Sequence, residues 1–325
     1  MSEKSTILTV PTKSPALLVS GSAGYVGRYF TRQLAEQGRA AISLYRAHLP
    51  EPMAHAVPVF GDLLRKEHIC SALRGVDTVV HLAWNQSFRS RIEEALRGSE
   101  DSTPFSRNLE VVENLIQSME ESGTQRIIFL SALGVSRFAD SLYLKEKYQA
   151  EAMFLNSRIP EKIILRSSLA FCELSYRDRL VSAIENLMRF PWFYPIPKTK
   201  EKLAPIHVRD LCRILCHLTD QKLAEAAQIL EVTGQQELSL EELFRLVSQG
   251  IGKGKQIPLK GLLGDVLTPF FERIYQNPRP MGPHLRELLT LNNRPDFATT
   301  INNSLLSTLK PMDSTSFQEA MRVQH

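Results

Sequence analysis

Leu17-Leu18-Val19-Ser20-Gly21-Ser22-Ala23-Gly24-Tyr25-Val26-Gly27 decides the reading of this chain: a short apolar run feeds into three glycines spaced G-x-x-G-x-x-G, and a helical pattern follows. The run suits a strand buried on both faces. Gly21 permits a tight turn off that strand, Gly24 lets the backbone approach a pyrophosphate, and Gly27 lets the next helix pack closely on the sheet. Ala23, Tyr25 and Val26 stand between these glycines and share the expected phosphate cradle, toward which the helix N-terminus directs its free N–H groups. Phe30 and Leu34 at i,i+4 spacing predict a helix over residues 29–37 that stops at Gly38, and a second strand-like run occupies residues 40–44. Strand, turn, helix and strand in that order is the context a dinucleotide-binding turn requires.

Further β-rich runs at residues 57–60, 78–82, 126–130 and 162–165 alternate with helical patterns, of which Leu109, Val112, Leu115, Ile116 and Met119 form one apolar face. Such alternation predicts βαβ units and an α/β fold: a Rossmann-type doubly wound parallel sheet with helices on both faces. The core is expected over residues 14–170, and a smaller, mixed C-terminal region over 171–325, with strand and helix segments returning to the core. Pro191, Pro195, Pro197, Trp192, Phe193 and Tyr194 predict an irregular segment, and two helices are expected over residues 208–218 and 240–250.

Composition narrows the classes. The chain has 325 residues, 43% hydrophobic and 23% charged, with a formal net charge of +4. That is an ordinary globular balance, and its dispersed basic residues argue against nucleic-acid binding. The sequence shows neither an apolar stretch of roughly 18 residues nor a signal-peptide core, so a soluble cytoplasmic protein is expected. Cys70, Cys172, Cys212 and Cys216 are too irregularly spaced for a disulfide scaffold. Cys212, Cys216 and His217 share a predicted helix, but in an apolar background without a second ligand cluster, so no metal is expected. The stretch from Lys253 to Phe271 reads first as a packed lid and second as an amphipathic surface touching a membrane or a complex. Oligomer formation stays open.

Tyr143 and Lys147 are spaced Y-x-x-x-K. On a helix they share one face, and an ammonium near a phenol lowers the phenol's pKa, which suits proton exchange with a substrate hydroxyl or carbonyl. A solvated surface pair is the plainer alternative.

With Gly61-Asp62-Leu63, His81-Leu82-Ala83, Asn108 and Ser131, these motifs follow the order found in the short-chain dehydrogenase/reductase superfamily, which the chain resembles over about residues 14–250. Pro205-Ile206-His207-Val208-Arg209-Asp210 is similar to a segment of its extended and atypical branches, the NAD-dependent epimerase/dehydratase-like proteins. The layout looks closest to an atypical group that includes the nucleotide-binding accessory subunit of respiratory complex I.

The resemblance implies that Gly21, Gly24 and Gly27 cradle the pyrophosphate, that Asp62 and Leu63 contact the adenine, and that Ala83 lies beside the cofactor. It implies Tyr143 as catalytic acid/base, Lys147 on the nicotinamide ribose, and Ser131, or Ala132 in an alternative alignment, on the reacting oxygen. Arg166-Ser167-Ser168 departs from the Arg-Pro of many relatives. Leu44-Tyr45-Arg46 ends the second strand without a carboxylate, and Arg46 there favours the 2'-phosphate of NADP(H) over NAD(H). Trp84 and Asn85 are candidates for the substrate cleft.

The expected function is NAD(P)-dependent oxidoreductase or epimerase chemistry on a small-molecule hydroxyl or carbonyl substrate, such as a nucleotide sugar. Its rival is a non-catalytic NADP(H)-binding assembly or redox-sensing protein.

Overall fold

In the computed structural model the described residues are 16–46, 55–84, 104–139, 142–172, 184, 188, 192–196, 202–220, 226–234, 236–250, 257–259, 263 and 266. In chain order their elements are β1 (Leu17–Ser20), α1 (Tyr25–Glu36), β2 (Ala41–Tyr45), β3 (Ala56–Phe60), α2 (Lys66–Ala72), β4 (Thr78–His81), α3 (Pro104–Ser122), β5 (Arg126–Ala132), α4 (Leu142–Asn156) and β6 (Glu161–Ser167). There follow β7 (Ala170–Phe171), β8 (Phe193–Pro195), β9 (Lys202–Leu203), β10 (Ile206–His207), α5 (Val208–Asp220), β11 (Ala227–Val232), β12 (Leu238–Ser239), α6 (Leu240–Gly250) and β13 (Ile257–Leu259).

Seven strands make one sheet in the order β11-β6-β5-β4-β1-β2-β3, and every pairing in it is parallel. This is a Rossmann-type doubly wound fold. The strand order reverses beside β1, whose neighbours are β2 and β4, and a crevice for a ligand opens outside the C-terminal ends of the strands at such a point. The second half of the chain completes the sheet through β11, which pairs with β6 from Ala227 opposite Lys162 to Val232 opposite Ser167. Pro58, which has no N–H to give a ladder, sits in the edge strand β3.

The near-continuous apolar character of the strands follows from helices on both faces. Leu17 and Val19 point to one side and pack with Phe30, Leu34, Leu211 and Leu215 of α1 and α5. Leu18 points to the other and packs with Val79, Leu115, Met119 and Phe154 under α3 and α4. Cys212 and Cys216 belong to the first of these cores, and burial pushes the Cys216 thiol up to about 11, so both behave as small apolar side chains. Arg39, just beyond α1, ties it to the end of α5 through Asp220 at 2.8 Å and the Cys216 carbonyl at 3.4 Å.

Two expectations are corrected. Helix α1 begins at Tyr25, a turn earlier than the apolar spacing indicated, because the Gly24 N–H donates to the Gly21 carbonyl at 2.8 Å and Arg28 N–H to that of Gly24 at 3.1 Å. The glycine turn thus runs straight into the helix. The proline- and aromatic-rich segment contains a short strand, β8, paired in parallel with β13, since a ladder between non-adjacent segments tolerates proline where no N–H is required. Asn85 and most of the stretch after Gly252 lie outside the described residues. Among the described residues no helix is long and apolar enough to cross a membrane.

Candidate functional site

The turn after β1 leaves no room for a side chain at Gly21 or at Gly27. Gly21 has φ +77°, and a Cβ there would stand 2.5 Å from the Ala83 backbone nitrogen and 2.7 Å from its Cα. A Cβ on Gly27 would overlap the Gly21 carbonyl oxygen. The register explains both: β1 and β4 are direct neighbours with Ser20 opposite His81, so the chain leaving β1 passes against Leu82 and Ala83 leaving β4. Gly21 and Ala83, expected together at a cofactor, are therefore brought into contact at the switch point. Ala23 and Gly24 are exposed, Tyr25 and Val26 half-buried, and the first turn of α1 opens at this place. Backbone N–H groups at an open helix N-terminus, with nothing larger than glycine in the way, fit a dinucleotide pyrophosphate.

Farther along the crevice edge, Gly61-Asp62-Leu63 follows β3. The Asp62 carboxylate accepts the Leu64 N–H at 3.1 Å, and its own N–H donates to His68 Nδ1 at 3.1 Å, which fixes the turn into α2. The Leu63 carbonyl accepts a bond from Asn114 at 3.3 Å while its side chain packs on the core. Arg46 is exposed at the end of β2. Sequence reasoning missed Arg28, whose Nε donates to the Ala23 carbonyl at 2.8 Å across the turn, although its place directly after the third glycine was a visible signal.

The third part of the site is one face of α4. Tyr143, Lys147 and Glu151 follow one another at i, i+4 and i+8, and the row lies along β5. Lys147 is 3% exposed, and its Nζ donates to the Leu130 carbonyl at 2.8 Å. The same ammonium lies 3.8 Å from the centroid of the Trp84 ring, 4.4 Å from Phe129 and 5.9 Å from Tyr143. Burial pulls its pKa down to about 7, against the opposite pull of Glu146 and Glu151. Glu146 is itself buried and accepts from Asn108 Nδ2 at 3.0 Å.

Below this row lies His81. It is fully buried, shares a 2.7 Å hydrogen bond between Nδ1 and Ser20 Oγ, and stacks on Phe129. Burial, with the Lys147 charge as a smaller cause, lowers it to about 3, so the imidazole is neutral and shapes the floor of the site. The Trp84 indole Nε1 is buried with no hydrogen-bond partner among the described residues.

Ser131 is placed differently from Tyr143 and Lys147. Its hydroxyl donates to Glu151 at 2.5 Å. Glu151 is 2% exposed and is clamped by Arg166 through Nε at 3.0 Å and Nη2 at 2.6 Å, while Arg166 Nη1 reaches Glu231 on β11 at 3.2 Å. The serine is thus the end of a buried ionic chain that crosses β5, β6 and β11. Ala132, the alternative in the alignment, packs in the apolar cluster against which Tyr143 rests. Glu151 also escaped the sequence reading, and its signal was the continued four-residue spacing after Tyr143 and Lys147.

Residues 21–171 match the NAD(P)H-binding family. That match covers the part of the chain that carries the glycine turn and the α4 row. The fold is that of a nucleoside-diphosphate-sugar epimerase from Staphylococcus aureus, with a TM-score of 0.64 over 94% of this chain and 99% of that one at 17% identity. In sequence the chain is 30% identical over 131 residues to a 3-beta-hydroxysteroid dehydrogenase of Mycolicibacterium neoaurum, covering 39% of this chain and 34% of that protein. It is 23% identical over 239 residues to the mitochondrial NADH dehydrogenase (ubiquinone) 1 alpha subcomplex subunit 9 of Arabidopsis thaliana, covering 70% of this chain and 56% of that protein. The chain therefore spans about a third to just over half of the length of these curated relatives.

Proposed function

We propose that this extended reductase-like protein binds NADP(H) in preference to NAD(H) and catalyses oxidoreductase or epimerase-type chemistry at a hydroxyl or carbonyl carbon of a small molecule, with a nucleotide sugar as the first substrate class to examine. The observation that carries the reading is the row on α4: Tyr143 and a buried Lys147 on one face, with Lys147 anchored to the end of β5 beside the strand that leads to Ala83. The glycine turn supports a bound dinucleotide, and the resemblance in fold to a sugar epimerase supports the substrate class.

When bound, the nicotinamide supplies or takes the hydride. Tyr143 takes the proton of a substrate hydroxyl as its carbon is oxidised, or returns one when a carbonyl is reduced. Lys147 favours the phenolate by its charge and offers donors to the ribose, and Arg46 and Arg28 provide positive charge near a 2'-phosphate.

A second reading, a nucleotide-binding assembly or redox-sensing protein without turnover, is favoured by one specific observation: the Ser131 hydroxyl is bonded to Glu151. The similarity to a mitochondrial NADH dehydrogenase subunit supports the same alternative. Titration of the nucleotide-free protein with NADPH and NADH, repeated on Arg46→Ala, tests the cofactor assignment. The expected result is tighter NADPH binding whose advantage disappears in the variant, and equal affinity for the two nucleotides would overturn it. Turnover by the wild type that Tyr143→Phe abolishes while NADPH affinity persists separates the enzyme from the assembly protein.

A further inference from the structure

Lys147 is held in an unusual way for a buried cation. Carboxylates lie on its own helix, at Glu146 and Glu151, but the contacts made by Nζ are one carbonyl, that of Leu130, and three rings, those of Trp84, Phe129 and, farther off, Tyr143. Trp84 is the nearest at 3.8 Å and the best π donor of the three. It stands directly after Ala83, on the segment that closes against Gly21, so it joins the glycine turn to the α4 row. We propose that Trp84 is the positioning residue for Lys147: the indole face holds the ammonium, charged, beside Tyr143 and at the dinucleotide site. The inference rests on the reading of that site given above, and it adds a residue whose chemistry, the electron density of an indole, governs the lysine.

The physical argument is one of competition. Burial alone drives the Lys147 ammonium toward its neutral form. A π face opposes that without supplying a formal charge, so it keeps the cation without fixing it as a carboxylate ion pair would. The groups that face Lys147 are Tyr143, Glu146 and Glu151 from α4 and His81 from β4, with Arg166 of β6 acting through Glu151. His81 is neutral over the working range, and Glu151 is neutralised by Arg166. Glu146 acts on Lys147 through its charge, whereas Trp84, the nearest of the rings, is a group whose electronics can be varied without changing a charge.

The chain has two tryptophans, so Trp192→Phe, at a position 69% exposed, leaves Trp84 as the sole indole. In that background, tryptophans carrying one, two and three fluorines are incorporated, which withdraws electron density with little change of shape. The 19F resonance of the nucleotide-free protein is followed from pH 5 to 9.5. The expected result is a titration that Lys147→Met abolishes and whose midpoint falls along the series by about one pH unit in total, a tenfold change in the charged-to-neutral ratio. Trp84→Phe is expected to retain most of the NADPH affinity of the wild type at pH 6.5, and Trp84→Leu to lose it.

A midpoint that stays fixed across the fluorine series, or a resonance indifferent to Lys147→Met, would overturn the proposal. The resonance is read without nucleotide, so the two ideas fail separately. A shifting midpoint in a protein that binds neither NADPH nor NADH supports the Trp84–Lys147 contact and removes the dinucleotide site.

Discussion

Two cations lie along the same face of the sheet, Lys147 buried and Arg166 half-buried, and they are kept in opposite ways. Arg166 on β6 meets two carboxylates, Glu151 and Glu231, and those partners raise its pKa against the cost of burial. Lys147, one helical turn from Glu151, meets a carbonyl and ring faces, and burial lowers it to about 7. The guanidinium has five donors in a fixed fork that suits paired carboxylates, and its charge is permanent. An ammonium that gives and regains a proton near neutrality suits a site where protons move. The difference separates a cation held by ion pairs from one held by a carbonyl and ring faces, the one to which the proposed chemistry falls.

The sharpest way to break this comparison is to remove the structural cation. Arg166→Leu leaves Glu151 buried with only the Ser131 hydroxyl, and urea unfolding at pH 7 is expected to show a loss of about 3–5 kcal/mol. A loss under 1 kcal/mol would mean that the ionic chain is not what holds β6, α4 and β11 together.

A third buried base, His81, extends the contrast. Its folded pKa of about 3 lies below the ordinary value of 6.5, so the unfolded chain binds the extra proton first. Stability is complete above pH 6.5 and falls as pH drops toward 3, by on the order of 4 kcal/mol at the acid end. His81→Asn is expected to flatten that acid limb in thermal melts between pH 7 and 3.5, and an unchanged slope would count against a neutral, buried imidazole.

Ser131→Ala removes one hydrogen bond to a buried carboxylate. The expected cost is about 1–2 kcal/mol of stability, with NADPH affinity unchanged. Should turnover be found and then vanish in this variant while stability holds, Ser131 would move from the ionic chain to the chemistry.

The smallest effect on stability is expected at Lys147. Lys147→Met is expected to change unfolding free energy by less than about 1 kcal/mol at pH 7, because the group it removes is poorly solvated. Its NADPH affinity should fall about 10- to 100-fold, as for the loss of a hydrogen bond from a charged donor. The wild type should gain stability relative to this variant as pH rises from about 7 toward 10.5, since in that window the unfolded chain carries the proton that the folded one has lost. A difference that is flat with pH would show that the folded protein keeps Lys147 charged throughout.

The legible parts of the site were those built from neighbours in sequence. Gly21, Gly24 and Gly27 could be read because a tight turn and a close helix–sheet approach favour glycine at that spacing. Tyr143 and Lys147 were legible because four residues is one helical turn. Glu151 and Arg166 were not, since their link crosses from α4 to β6, and no local spacing reports a contact between elements. The same holds for Trp84 over Lys147, 63 positions apart in the chain and 3.8 Å from Nζ to ring centroid. The strand at Phe193–Pro195 was hidden for a related reason: its ladder partner, Ile257–Leu259, lies beyond two helices and β11.

By itself, then, the sequence determined the alternation that yields a doubly wound parallel sheet, the glycine turn at its first crossover, and the helical row that carries Tyr143 and Lys147. These are local consequences of side-chain size and of the 2.0- and 3.6-residue periods of strand and helix. Tertiary structure alone decided which charges are neutralised. It assigned the two carboxylates to Arg166 and the ring faces to Lys147, because the charge state of a buried group depends on solvent exclusion and on whatever the fold brings within a few ångströms of it.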